Sequence, residues 1–168
     1  MARFLEHLLQ DHQDYDAQLT FLDSIVRDIE LEEPLDYTEL VELMAYLRPG
    51  LSGSHCAEEW MICDRLAEQT GSPRLVVEVL KNLHRSVADK GAALETIALA
   101  AQYGHVVAAD EIRRRAEAFS TEFRKQIVLE ERAIFPLVNG VLHEDDWRAI
   151  EQTIRVSIDH RISERGRH

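Results

Sequence analysis

The sequence predicts an all-α fold, an up-down-up-down four-helix bundle with an additional C-terminal helix, and three observations predict it. Apolar residues recur three and four apart along four long stretches. Only four prolines and seven glycines punctuate the 168 residues, mostly near the ends of those stretches. No run of alternating β-branched residues signals a sheet. Connections this short make successive helices antiparallel neighbours. One domain, residues 1–168, is expected, long enough to bury a substantial core.

The first helix is expected from about Ala2 to Leu31, with the stripe Leu5, Leu8, His12, Tyr15, Leu19, Leu22, Val26 and Ile29. Glu32, Glu33, Pro34 and Leu35 form the connection. Asp36 followed by Glu39 reads as a capping pair that opens the second helix. Pro49, Gly50 and Gly53 kink or briefly break that helix, which resumes through Thr70 and stops at Gly71. Ser72 and Pro73 then serve as N-cap and first turn of the third helix, which runs to about Gln102 with Gly104 as its stop. The fourth spans about Val107 to Val138 and ends at Asn139–Gly140, with Pro136 tolerated as a kink. A last helix starts near Glu144 and fades before Gly166. Its stripe of Trp147, Ile150, Ile154, Ile158 and Ile162 is expected to pack across the outside of the bundle.

Composition narrows the function. A formal net charge of −12 opposes binding to a nucleic-acid backbone, which needs surplus Lys and Arg. No stretch approaches the roughly 20 apolar residues of a membrane span. Met1 to Tyr15 carries charged or polar groups every few residues, unlike a signal peptide. Cys56 and Cys63 lie seven apart on one helix, roughly 10 Å, too far for a disulfide. Reduced thiols and a cytoplasmic location are therefore expected.

The chemistry lies in a mismatch. Glu59 and Glu130 occupy apolar stripes, and so do His12, His55 and His84. An unpaired buried carboxylate costs several kcal/mol, and a metal ion is the partner that satisfies carboxylates and imidazoles together. The inward positions of the second helix are Leu51, His55, Glu59, Ile62 and Leu66. Those of the third are Val76, Leu80, Leu83 or His84, Val87, Gly91 and Leu94. Those of the fourth are Ile112, Ala116, Phe119, Phe123, Gln126, Glu130, Ile134 and Leu137. His55 and Glu59 are four apart, hence vertical neighbours able to share an ion, and Gln126 and Glu130 repeat the spacing. Depths agree as well. His12 lies about 19 residues before the first connection and His55 about 19 after it, while Glu59 and His84 are nearly equidistant from Gly71. A lone histidine in an apolar stripe is usually a hydrogen-bonded core residue, and a lone His–Glu pair is usually a surface ion pair. Four helices supplying ligand types at one level reverse that balance. His7, His105, His143, His160 and His168 fall off the stripes, near connections or at the terminus, and are read as solvated. Cys63, four after Glu59, is read as a packing residue bordering the site, with a redox-sensitive neighbour as the alternative.

Those residues resemble the hemerythrin-like, HHE cation-binding family. The pattern appears as Leu8, Leu9, Gln10, Asp11 and His12, as His55-Cys56-Ala57-Glu58-Glu59, as Leu83-His84, and as Gln126 through Glu130-Glu131 with Phe135-Pro136. Asp145-Asp146-Trp147 at the last helix is similar too. The resemblance implies a non-heme di-iron centre in which Glu59 and Glu130 bridge, His12 and His55 serve one iron and His84 the other. Glu58, beside Glu59, is an alternative or added ligand in the helical register. Gln126 stands where the family has histidine, which weakens the second iron position. Glu122, one turn earlier, could substitute, and Tyr15 could hydrogen-bond a bound ligand.

The first functional expectation is a protein that binds or senses oxygen, nitric oxide, peroxide or iron itself. Its partners would be a small diatomic ligand or peroxide, neither nucleic acid nor membrane, with a homodimer as an option. The alternatives are a di-iron enzyme, either a peroxidase or oxidase or one that repairs nitrosatively damaged iron centres, and a metal-free helical adaptor. No general acid or base outside the ligand set stands out, so no catalytic residue is assigned. Ferritin-like storage is disfavoured, because none of the eight histidines has a glutamate three residues before it.

Overall fold

The computed structural model describes residues 2–30, 36–52, 54–69 and 74–165, with side chains from Phe4 to Ile154 apart from Glu30, Pro49, Ser52 and Ser54. The helices are α1 (Ala2–Glu30), α2 (Tyr37–Ser52), α3 (Ser54–Glu68), α4 (Arg74–Gln102), α5 (Ala109–Leu129), α6 (Phe135–Val141) and α7 (Glu144–Arg165), with a π-helical segment at Glu130–Ile134 between α5 and α6. Among the described residues there is no strand. The expected connection at Glu32, Glu33, Pro34 and Leu35, the breaks at Gly53 and Gly71, and the Ser72–Pro73 start lie outside the described residues. So do the side chains of Ile158, His160, Ile162 and His168.

The bundle is a closed circuit in which α1 packs on α2 and α5, and α4 packs on α2 and α5. Its helix ends follow their local chemistry. Asp36 Oδ1 accepts the backbone N–H of Thr38 at 2.8 Å and of Glu39 at 3.4 Å, capping α2. At the end of α4, Gly104 takes φ +85° while its N–H reaches Ala101 O and the His105 N–H reaches Ala100 O, each at 3.0 Å. That paired return is the glycine stop expected there. The Asp146 carboxylate accepts the His143 N–H at 2.8 Å and opens α7. It also receives Arg65 of α3 at 2.7 Å, which pins α7 to the bundle.

The fourth helix departs from expectation. Pro136 has no N–H to donate, and the chain widens just before it. The Phe135 N–H bonds to Glu130 O, five residues back, instead of four. The helix then continues through Asn139 and Gly140 to Val141. The wide turn moves the apolar register by one, so Val138 is buried and Leu137 only half-buried. Smaller corrections apply elsewhere: Val77 rather than Val76 faces inward on α4, and Ile25 rather than Val26 on α1. His84, not Leu83, is the buried member of that pair. α7 packs against α3, and its stripe residues Trp147 and Ile150 are buried in a core with Leu5, Leu8, Leu66 and Leu80.

The core is in two parts. One holds Leu19, Leu22, Leu40, Met44, Leu47, Leu94, Phe119 and Phe123. The other, toward α7, holds Leu5, Leu8, Ile62, Leu66, Val77, Leu80, Ile134 and Trp147. Between them along α1, α3, α4 and α5 runs a layer of buried polar side chains: His12, His55, Glu59, His84, Gln126 and Glu130.

Candidate metal centre

Each long rod of the bundle contributes to this layer. α1 brings His12, the first turns of α3 bring His55 and Glu59, α4 brings His84, and the π-helical segment opens with Glu130. Glu130 is fully buried, Glu59 and His12 are each 2% exposed, and His55 and His84 are nearly as enclosed. Ligand-type atoms of His12, His55 and Glu59 lie within 4.8 Å of one another, and those of Glu59, His84 and Glu130 do the same. Each trio could hold a metal ion, and Glu59 belongs to both.

The carboxylate oxygens divide between two sides. Glu59 Oε1 stands 3.2 Å from His12 Nε2 and 3.1 Å from His55 Nε2, while its Oε2 is 3.6 Å from His84 Nε2. Glu130 Oε2 stands 3.3 Å from His12 Nε2, and its Oε1 is 2.8 Å from His84 Nε2. Despite that proximity, Glu59 Oε2 and both oxygens of Glu130 are buried with no aligned hydrogen-bond donor. Buried polar atoms left this way are rare and costly. Glu59 Oε1 is within hydrogen-bonding geometry of His12 Nε2, but the other three oxygens face imidazole nitrogens without a donor, and a cation placed between them would satisfy both. The donor set fits the group: imidazole nitrogen and carboxylate oxygen suit iron, manganese or zinc.

The outward ring nitrogens are also engaged. His55 Nδ1–H donates to Asp11 Oδ2 at 2.8 Å, and His12 Nδ1–H to Glu131 Oε1 at 3.1 Å. His84 Nδ1 meets Cys56 Sγ at 3.4 Å. Such contacts fix the tautomer that turns Nε2 inward and orient the ring. Phe135 stacks on His12, with centroids 5.5 Å apart and planes 15° from parallel, and Tyr15 meets His55 edge-on at 5.2 Å. Two divalent cations would bring four positive charges, matched by the four carboxylates of Asp11, Glu59, Glu130 and Glu131.

Without a cation the cluster is held by its own charges. Burial favours neutral imidazole at His12, but Glu130 and Glu59 outweigh it and raise the pKa to about 10. At His84 burial is likewise overcome, by Cys56, Glu130 and Glu59, again to about 10. His55 is also shifted up, against burial, by Glu59 and Asp11. Burial opposes the ionised form of Glu59, yet His12, His55 and His84 bring its carboxyl down to about 2. Cations and protons thus compete for one set of atoms.

The remaining sequence candidates fall elsewhere. Glu58 lines a surface cavity of about 280 Å³ with Phe4, His7 and Glu151, so Glu59 is the inward member of the pair. Glu122 accepts a hydrogen bond from Ser86 at 3.1 Å and lies 3.9 Å from Lys90. Gln126 is buried in the layer, one turn before Glu130. Tyr15 packs between His55 and Phe123. Cys63 is buried, and burial with nearby Glu59 and Glu130 pushes its thiol up to about 12. Enclosure and a raised thiol are the surroundings of a packing residue rather than of a reactive cysteine. Sequence reading missed Asp11, Cys56 and Glu131 as partners of the outer nitrogens. The available signal was their position directly beside His12, His55 and Glu130.

Residues 3–138 match the family model of the hemerythrin HHE cation-binding domain. No curated protein and no solved structure matches the chain.

Proposed function

The chain belongs to the hemerythrin HHE cation-binding family, and from that membership and the site's geometry we propose that it holds two non-heme iron ions and binds or senses a small ligand. The observation that carries the reading is the division of oxygens. Glu59 and Glu130 each turn one oxygen toward His12 and the other toward His84, the arrangement that lets a carboxylate bridge two cations. His12, His55 and Glu59 form the first position, and Glu59, His84 and Glu130 the second.

Iron held by these residues would supply a reversible one-electron change toward oxygen, nitric oxide or peroxide. The residues do the rest. Asp11 and Glu131 hold two imidazoles in place, and the two apolar cores keep bulk water from the layer. Gln126, a neutral amide where the family has an imidazole, leaves the second position short of one strong ligand. The reading places the protein in the cytoplasm, where both cysteines stay reduced; they are free and buried. No helix among the described residues is long and apolar enough to cross a membrane.

Metal analysis of protein purified without air, with optical spectra before and after oxygen is admitted, tests the proposal. Two irons per chain and a new visible absorption on aeration are expected. Protein that loads no iron, or loads it equally well with Glu59→Ala and Glu130→Ala, overturns it.

A further inference from the structure

Two of the three inward histidines lean on carboxylates; the third leans on sulfur, and we infer that Cys56 is a positioning residue for the second cation, fixing the tautomer and direction of His84. This inference rests on the two-cation reading above. Ligation through His84 Nε2, which faces Glu130 Oε1 at 2.8 Å, leaves the ring proton on Nδ1. That nitrogen lies 3.4 Å from Cys56 Sγ, so the sulfur must accept. The same sulfur accepts the indole N–H of Trp60 at 3.0 Å. Trp60 in turn meets the His84 ring edge-on at 5.9 Å and carries Lys81 Nζ 5.3 Å from its ring centroid.

The arrangement follows from helical spacing. On α3, His55 and Glu59 are four apart and face the layer; Cys56 and Trp60 are also four apart, rotated by one residue toward α4. A buried free cysteine is ordinarily a small packing residue. Two ring N–H groups converging on one sulfur, one of them from an inward imidazole, are more than packing provides. Sulfur accepts more weakly than carboxylate, so His84 is less firmly polarised than His12 and His55. Cys56 and Gln126 together make the second position the weaker and more exchangeable of the two.

The test is an anaerobic cobalt(II) titration of the full chain followed by its visible spectrum, on wild type, Cys56→Ala, Cys56→Ser and Trp60→Phe, with apo-protein helicity measured for each. Two binding steps are expected for wild type. Cys56→Ala weakens the second step by about 10- to 100-fold and alters the spectrum of that ion alone. Cys56→Ser, whose hydroxyl also accepts, recovers most of the affinity, and Trp60→Phe weakens the same step more mildly. Asp11→Asn weakens the first step instead. Cys56→Ala that titrates like wild type, or that weakens both steps alike with no recovery by serine, overturns the role of Cys56. A wild-type chain that takes up no second cobalt overturns the two-cation reading itself.

Discussion

Glu59→Gln keeps the shape of the side chain and removes its charge, which isolates what the carboxylate does in the metal-free protein. Glu59 stands 3.2 Å from His12 Nε2, 3.1 Å from His55 Nε2 and 3.6 Å from His84 Nε2. Against the opposing effect of burial, these imidazoles lower its carboxyl from 4.5 to about 2. At 1.36 kcal/mol per pKa unit the shift corresponds to about 3 kcal/mol, the low end of what breaking a buried ion pair costs. For a chain of this size the melting temperature of the variant should fall by about 6–12 °C. The effect has a pH signature. A lowered carboxyl contributes fully above its ordinary 4.5, and the contribution is lost as pH falls through about 2. The raised imidazoles of His12 and His84 contribute fully below 6.5 and lose that contribution as pH rises through about 10. The difference between wild type and Glu59→Gln is therefore greatest between pH 4.5 and 6.5. Urea unfolding of both proteins in the presence of a chelator, from acid to alkaline pH, measures it. A difference absent at about pH 6, or one that grows toward alkaline pH, refutes the reasoning.

Three further outcomes are expected. Loading with zinc at neutral pH should release protons, since His12 and His84 are held at about 10, and affinity should climb as pH rises; an indicator dye in weak buffer reads the release directly. Asp146→Ala removes both the cap on the His143 N–H and the Arg65 pair, so it should cost about 0.5–2 kcal/mol in chemical denaturation while metal content stays unchanged. Gln126→His returns an imidazole to the wall one turn before Glu130, and the second ion should bind more tightly in a cobalt titration, the first being unaffected.

The buried polar layer was legible because its residues violate the apolar stripes they occupy. His12, His55, Glu59, His84 and Glu130 stand out against Leu, Ile and Phe neighbours at helical spacing, and antiparallel geometry sets them level. The outer partners were not legible for the converse reason. Asp11 and Glu131 sit one position off the stripe, where acidic residues ordinarily meet water, and only the placement of a neighbouring helix turns them toward an imidazole nitrogen. Cys56 looked like a small apolar residue. The choice between Glu58 and Glu59 turned on helix rotation, which spacing alone leaves free by one residue. Pro136 announced a disturbance in the fourth helix, but whether a proline bends a helix or widens it depends on packing. Here the wide turn exchanged Leu137 for Val138 in the core.

The split interior has a mechanical consequence. A sheet of charge divides the hydrophobic contacts of the bundle into two blocks that share α1 and α4 but little oily surface. Stripped of cations, the blocks should loosen separately, and amide exchange should report two levels of protection along a single helix. Ions bound as proposed would rivet α1, α3, α4 and the π-helical segment together, and the blocks should then open as one. Occupancy would then be readable at a distance, from how α7 and the far end of α4 exchange their hydrogens, without any change in backbone shape.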